Sequence, residues 1–449
     1  MIPAARQLLA GHLHAQAVMQ REHPHFESLI VGGGPAALGV LCCILRRVGA
    51  TRSAPGAAPF LLIDDRPERC GRIGAFRIGS DTQAKKFLTC LDGLPIAVRQ
   101  DPDVARHAAR LRVLDTQAAP LPLVGAFLAS LKQRVIAELC VRGWLAVKRS
   151  RAHALEHDRI LWAVPGLGVR ARSLVIACGA SERRDTALSV LDTYGLQSSR
   201  RDRVATSSEW LARSSDATLP AGVGKAAGSI VILGSSHSAI SSAAKALRGP
   251  SASRLAPGAV TVLHRSAMTA TFASATAARA AGYHGFTAGD ICPVTQRVHA
   301  LGGFRLDSRD LLMALRGWGG SEPEPRVEAV AMASLGAPDL AARLNRADLI
   351  ITALGYAPDL PRLSVAGDVK AFRGPRHVDR RSRLLDASGR ALPNAYGIGL
   401  AMGYDLRGRF GEWGFSGQAN GLVLWFKDIG ESIAADLLAP VAIAARASA

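Results

Sequence analysis

Short apolar runs alternate along most of the chain with longer stretches of helical spacing, the pattern of βαβ units built on a parallel sheet. The first run, Phe26 to Gly32, predicts a strand, and the stretch from Pro35 to Val48 predicts the helix that follows it. A loop of Gly, Ala, Pro and Ser, Gly49 to Ala58, leads to a second strand, PFLLID, ending at Asp64. A helical region covers Leu121 to Arg142. After it, Trp144–Val147, Arg159–Val164, Val169–Arg172 and Leu174–Ala177 are expected to form a small antiparallel meander returning to the sheet. A second opening then appears: strand Ser229–Leu233, a helix to about Leu247, strand Ala259–Leu263, and a closing strand in Ala347–Tyr356.

This duplication predicts an α/β fold with two Rossmann-like dinucleotide-binding domains, the second inserted into the first. The outer domain takes residues 27–200 and 357–449, and the inserted one residues 201–356. Residues 1–26 form an N-terminal extension whose Arg6, His12 and His14 interrupt any apolar leader segment. No apolar run is long enough to span a bilayer, so a cytoplasmic location is expected.

The chemistry concentrates at the strand–helix junctions. Gly32-Gly33-Gly34-Pro35-Ala36-Ala37 is a GxGxxA directly after a strand. Gly32 permits the tight turn, Gly34 lets backbone approach a pyrophosphate, and Ala37 allows close helix packing. The anion sits on the helix N-terminus, where free N–H groups and the helix dipole favour it. Asp64, at the end of the next strand, occupies the position of a carboxylate that accepts bonds from a ribose diol.

The second copy reads Gly234-Ser235-Ser236-His237-Ser238-Ala239, with serine in place of the middle glycine. Ser236 is small enough for phosphate to approach, and Ser238 offers a hydroxyl donor. The strand after it ends in His264-Arg265 instead of an acid. Arg265 pairs with a 2′-phosphate that a carboxylate would repel, which favours NADPH over NADH. His237 is either a contact to the nicotinamide cofactor or a satisfied turn residue.

Together with SLVIACGA (Ser173–Ala180) and ADLIITALGYAPDL (Ala347–Leu360), these motifs resemble the two-dinucleotide-binding-domain flavoprotein superfamily. The ITALGY segment is similar to the corresponding segment of flavin-containing and N-hydroxylating monooxygenases. The resemblance implies FAD at Gly32, Gly34, Pro35, Ala37 and Asp64, with Gly179 near the crossover and Gly399 and Leu400 closing over the flavin. It implies NADPH at Gly234, Ser236, His237, Ser238 and Arg265. The disulfide reductases of the superfamily carry a redox cysteine pair and a GD pair in the closing motif. Here Cys42 and Cys43 are adjacent, no CxxC exists, and the motif reads Gly399-Leu400.

Gln83 and Lys85 in SDTQAKKFL are candidates to hold a substrate carboxylate, or else mark a solvated helix start. Gln418 and Asn420, in the glycine-rich stretch 411–421, are candidates for the flavin pyrimidine edge, with helix capping as the competing account for Asn420. The segment from Ala281 to Asp310 carries His and Asp residues without metal-ligand spacing, so no metal is expected and a loop docking on the outer domain is the simpler reading.

Composition changes this picture little. Seven scattered cysteines in 449 residues exclude a disulfide framework. The formal charge of +19 is spread over scattered arginines without interleaved aromatics, which points to anionic small ligands instead of nucleic acid. The expected function is an NADPH-using, FAD-dependent monooxygenase that oxygenates a small amine or other soft nucleophile with O₂ through a flavin C4a-hydroperoxide. A flavin reductase without oxygen transfer and a non-catalytic nucleotide sensor stay open, as does a homo-oligomer. No catalytic residue is assigned, because the cofactors carry the hard chemistry.

Overall fold

The computed structural model describes residues 25–49, 58–214, 229–249, 252–370, 377–400, 402–416 and 421–447. The chain opens with β1 (His25–Val31), α1 (Pro35–Val48) and β2 (Phe60–Ile63), with β1 and β2 parallel. Pro35 starts α1 where its missing N–H costs nothing, and Arg46 and Arg47 lie in the last turn, where the helix dipole favours cations. The helix is buried along nearly its whole length, so packing holds it.

A separate antiparallel pair, β3 (Gly79–Gln83) with β4 (Ala118–Pro120), precedes α2 (Leu121–Val141). The chain then enters β5 (Leu145–Lys148), parallel to β2. Next come β6 (Ala154–His157), β7 (Trp162–Val164) and β8 (Val169–Ile176), an antiparallel meander whose last strand returns parallel to β1. Two expectations are corrected here. The run at Trp144–Val147 is the sheet's edge strand and no part of the meander, which starts instead at Ala154. The two strands expected at 169–172 and 174–177 are one strand. Arg170 and Arg172 fall on one face of β8 while Val169 and Ala171 are buried on the other, so the polar interruption is alternation and not a break.

Beyond the short β9 (Ala180–Ser181) the chain builds a second sheet from β10 (Val204–Thr206), β11 (Ile230–Leu233), β12 (Val260–His264), β13 (Val327–Ala331) and β14 (Leu349–Thr352). Its order is β10-β14-β11-β12-β13, all parallel. Helix α3 (His237–Arg248) connects β11 to β12, and α4 (Leu306–Arg316) precedes β13. This sheet buries both faces. Ile230, Ile232, Val260 and Val262 point into one apolar cluster, and Val231, Leu233 and Leu263 into another. Each such side chain contributes roughly 1.5–3 kcal/mol by burial.

The return to the first sheet runs through β15 (Ala357–Pro358), which pairs with β9, so the two crossings between the sheets are hydrogen-bonded to each other. β16 (Arg362–Val365) and β17 (Asp368–Lys370) extend the sheet beyond β6, and β18 (Arg383–Leu385) and β19 (Ala391–Gly397) complete it, β19 lying parallel to the end of β8. The closing helix α5 (Asp428–Ala447) packs on α1. No helix among the described residues is long and apolar enough to cross a membrane.

Candidate functional site

The two glycine turns have the same construction. At the first, Gly32 has φ +95°, its N–H donates to Ile63 O at 2.9 Å, and a Cβ on it would lie 2.5 Å from Ala177 O. At the second, Gly234 has φ +144°, its N–H donates to Leu263 O at 2.9 Å, and a Cβ would strike Ala353 O. In both, the return strand's next residue donates back to the first strand: Ala177 N to Val31 O and Ala353 N to Leu233 O, each at 2.8 Å. Glycine is required at both positions by conformation and by space.

The middle positions differ in kind. Gly34 caps α1 at φ −76°, ψ −173°, and Ser236 caps α3 at φ −92°, ψ 171°. Both are extended, so neither needs glycine for its backbone. What Gly34 supplies is room: a Cβ there would meet only Gly71 Cα at 3.9 Å. At Gly179 a Cβ would meet nothing within 4 Å, and its bare backbone faces the cleft. This free backbone at the start of α1 fits the diphosphate of a dinucleotide.

Asp64 stands beside the first turn with an unexpected partner. Lys132 of α2, 1% exposed at its side chain, donates from Nζ to Asp64 Oδ2 at 2.5 Å and to Arg69 O at 2.6 Å. The other oxygen, Oδ1, accepts from Arg66 N at 3.2 Å. A lysine is buried only when paired. Its signal in the sequence is a lysine directly after the apolar stretch Leu121–Leu131 and counted among the helix's buried residues, and sequence reasoning missed it.

One cleft of about 1230 Å³ runs between the turns. Of the expected cofactor residues, Gly32, Gly34, Pro35, Asp64, Gly179, Gly399 and Leu400 line it from the first sheet, and His237 and Ser238 from the second. Ala37 is fully buried behind the first turn. Gly234 and Ser236 form the second turn just outside the cleft wall, and the β11–β12 register places the exposed Arg265 one residue beyond the strand end beside it. Gln83 and Lys85 are not brought to the cleft. Gln83 ends β3, and Lys85 is exposed and paired with Asp115 at 3.3 Å. Their neighbours Ser80 and Asp81 line it instead. Gln418 and Asn420 lie outside the described residues.

The segment between Arg66 and Arg77 forms one wall, and its arginines were not singled out from the sequence. Arg72 and Arg77 line the cleft, are exposed, and make no ion pair among the described residues. Tyr356, from the ITALGY segment, hydrogen-bonds Ser208 Oγ at 3.0 Å, and burial raises its phenol above its usual range. All seven cysteines are free. Cys178 is next to the cleft glycine Gly179, and burial pushes its thiol up to about 12, so it carries no thiolate at neutral pH.

At the second turn His237 lies between charges from both sheets' segments. Its Nε2 is buried without a hydrogen bond and faces Asp81 Oδ2 at 3.6 Å. Arg305 Nη1 approaches the same oxygen at 3.6 Å, and Phe304 packs edge-on against the imidazole at 4.9 Å. Burial is the main reason the imidazole is held below its usual pKa, with Arg305 adding to the effect and Asp81 opposing it. The loop expected to dock on the outer domain does so: the buried Glu412 carboxylate accepts from Leu301 N and Gly302 N at 3.0 Å, and Gly414 N donates to Gly289 O at 2.8 Å.

Two strand–turn–helix openings, each on its own parallel β-sheet and flanking one cleft, define a two-sheet Rossmann-type α/β fold. Comparison with known proteins agrees. The chain is 31% identical to CMP-5'-(3-aminopropyl)phosphonate hydroxylase of Streptomyces rubellomurinus over 451 aligned residues, 92% of this chain and 98% of that one. It belongs to the family of that hydroxylase, and it is an oxidoreductase. No family model matches. Among solved structures, OTEMO in complex with FAD and NADP superposes with a TM-score of 0.52 at 14% identity, over 94% of this chain and 85% of that one. The form of OTEMO with FAD alone gives 0.51 at the same identity and coverage. These two likenesses concern the fold.

Proposed function

We propose that this protein uses FAD and NADPH to hydroxylate the amine nitrogen of an anionic substrate, of the nucleotide-linked aminoalkylphosphonate class named in its relative. The observation that carries this reading is the shared cleft, lined by the first glycine turn and, from the second, by His237 and Ser238. Residues 27–200 and 357–449 form the FAD-binding part and residues 201–356 the NADPH-binding part. FAD would be held by Gly32, Gly34, Pro35, Gly179, Gly399 and Leu400, and NADPH by Gly234, Ser236 and Ser238, with Arg265 available to a 2′-phosphate.

Bound FAD supplies hydride acceptance and activation of O₂. The chain's own residues bind and orient. Backbone N–H groups at the start of α1 take the diphosphate, and Arg72 and Arg77 offer unpaired guanidinium groups to an anionic substrate. Neutralised by Lys132, Asp64 offers a ribose its Oδ1 rather than a bare charge.

The test is incubation of the FAD-loaded protein with NADPH, O₂ and either CMP-5'-(3-aminopropyl)phosphonate or free (3-aminopropyl)phosphonate. The expected result is NADPH consumption matched by a product one oxygen heavier, with the nucleotide-linked amine preferred. NADPH consumed entirely into hydrogen peroxide, with no oxygenated product from either amine, overturns the reading.

A further inference from the structure

An alkyl ammonium with a pKa near that of lysine, about 10.4, is neutral in only about one molecule in 2,500 at pH 7, and only the neutral form has the lone pair that accepts oxygen. A general base in the cleft is therefore worth having, roughly 10²–10⁴-fold in rate.

Most acids lining the cleft are engaged. Asp64 is held by Lys132, and Asp359 by Ser181 and Arg183. The two histidines that line it differ. His153 is exposed, on the loop following Ser150, whose N–H bonds Asp64 O on the first turn's side. His237 is at the second turn, where residues of both sheets' segments meet. Its Nε2 faces Asp81, while Nδ1 makes no hydrogen bond among the described residues, and the side chain stays 31% exposed on the cleft.

We propose that His237, backed by Asp81, is the base that takes the proton from the substrate's ammonium group, an inference that rests on the amine-hydroxylation reading. In the step R–NH₃⁺ loses one proton to Nδ1, giving R–NH₂ and an imidazolium; no other bond changes, and the proton then leaves through the cleft. The charged and polar groups facing the ring account for both states. Burial, with Arg305 and the start of α3, keeps it neutral at rest, Phe304 adds no charge, and Asp81 at 3.6 Å stabilises the imidazolium once formed. Asp81 also draws the ammonium toward the ring. The sequence reading assigned His237 to the cofactor; its position opposite Asp81 gives it a second role.

The experiment compares the FAD-loaded full chain, His237→Gln and Asp81→Asn, measuring hydroxylated CMP-5'-(3-aminopropyl)phosphonate from pH 6.5 to 9.5 together with the KM for NADPH. Wild type is expected to level off above neutral pH. His237→Gln should fall at least ~30-fold at pH 7 and recover about tenfold per pH unit as solution supplies neutral amine. Asp81→Asn should move the same way by a smaller factor, and it carries the test if the glutamine variant fails to bind FAD. A loss equal at every pH, or one confined to the KM for NADPH, overturns the inference while product from wild type leaves the hydroxylation reading standing. No product from wild type sinks both.

Discussion

The two nucleotide turns share one backbone and differ in charge. Gly32 and Gly234 each hold positive φ against the carbonyl of a neighbouring strand end, with matching hydrogen bonds on either side. The neighbouring strand ends then diverge: Asp64 with a buried lysine at the first, His264 and an exposed Arg265 at the second. Steric closeness of strand, turn and helix sets the shape of a dinucleotide site. Which dinucleotide it takes is left to one or two side chains at the strand end.

The comparison breaks most visibly at the first glycines. Gly32→Val adds a Cβ into Ala177 O at positive φ, a strain of roughly 1–3 kcal/mol before the clash is counted. The expected outcome is protein without bound flavin, or none in solution, read from its absorption spectrum. Gly234→Val should retain flavin absorbance and lose NADPH oxidation; loss of flavin there would show that the two turns do not serve separate cofactors.

Next in size is Lys132→Met. It leaves Asp64 buried and unpaired at about 3–5 kcal/mol, a large fraction of a protein's stability. Thermal unfolding should show a clear drop, and the double variant with Asp64→Asn should recover part of it. An unchanged midpoint would mean that the pair contributes nothing.

Arg265→Ala tests the second strand end. Losing a charge-assisted bond of about 1.5–3 kcal/mol predicts a fall of roughly ten- to hundredfold in kcat/KM for NADPH, with NADH unaffected. Equal change for both removes Arg265 from cofactor selection.

The smallest effect is a pH slope. Burial holds His237, His264 and His299 below the usual histidine pKa. The unfolded chain then binds more protons than the native one as pH falls through about 6.5, so native stability declines on acidification and rises again with pH. Denaturant unfolding at pH 5.5 and 7.5 should show the lower stability at 5.5, and His264→Asn should flatten the slope by a fraction of a kcal/mol. A stability independent of pH over that range contradicts it.

Local pattern was enough for much of this. Strand β1, the glycine turns, α3 and the closing β14 follow from runs of apolar residues bounded by glycine, because a βαβ opening is a local event of sequence. Helix α1 was legible to its first and last residues, since Pro35 and the arginine pair mark its ends. β13 went unread: VEAVA shows only partial burial and no flanking glycine turn, and its place at the sheet edge comes from pairing with β12, which ends at His264 while β13 begins at Val327.

By itself, then, the sequence determined two strand–turn–helix openings, their nesting, and the basic strand end at Arg265, all properties of neighbouring residues. Tertiary structure decided the partners. Lys132 meets Asp64 across 68 positions, and Asp81 meets His237 and Arg305 only because the fold brings β3 beside the second turn. Pairings of this kind depend on distances that chain position does not encode, and they set the charge at each end of the cleft.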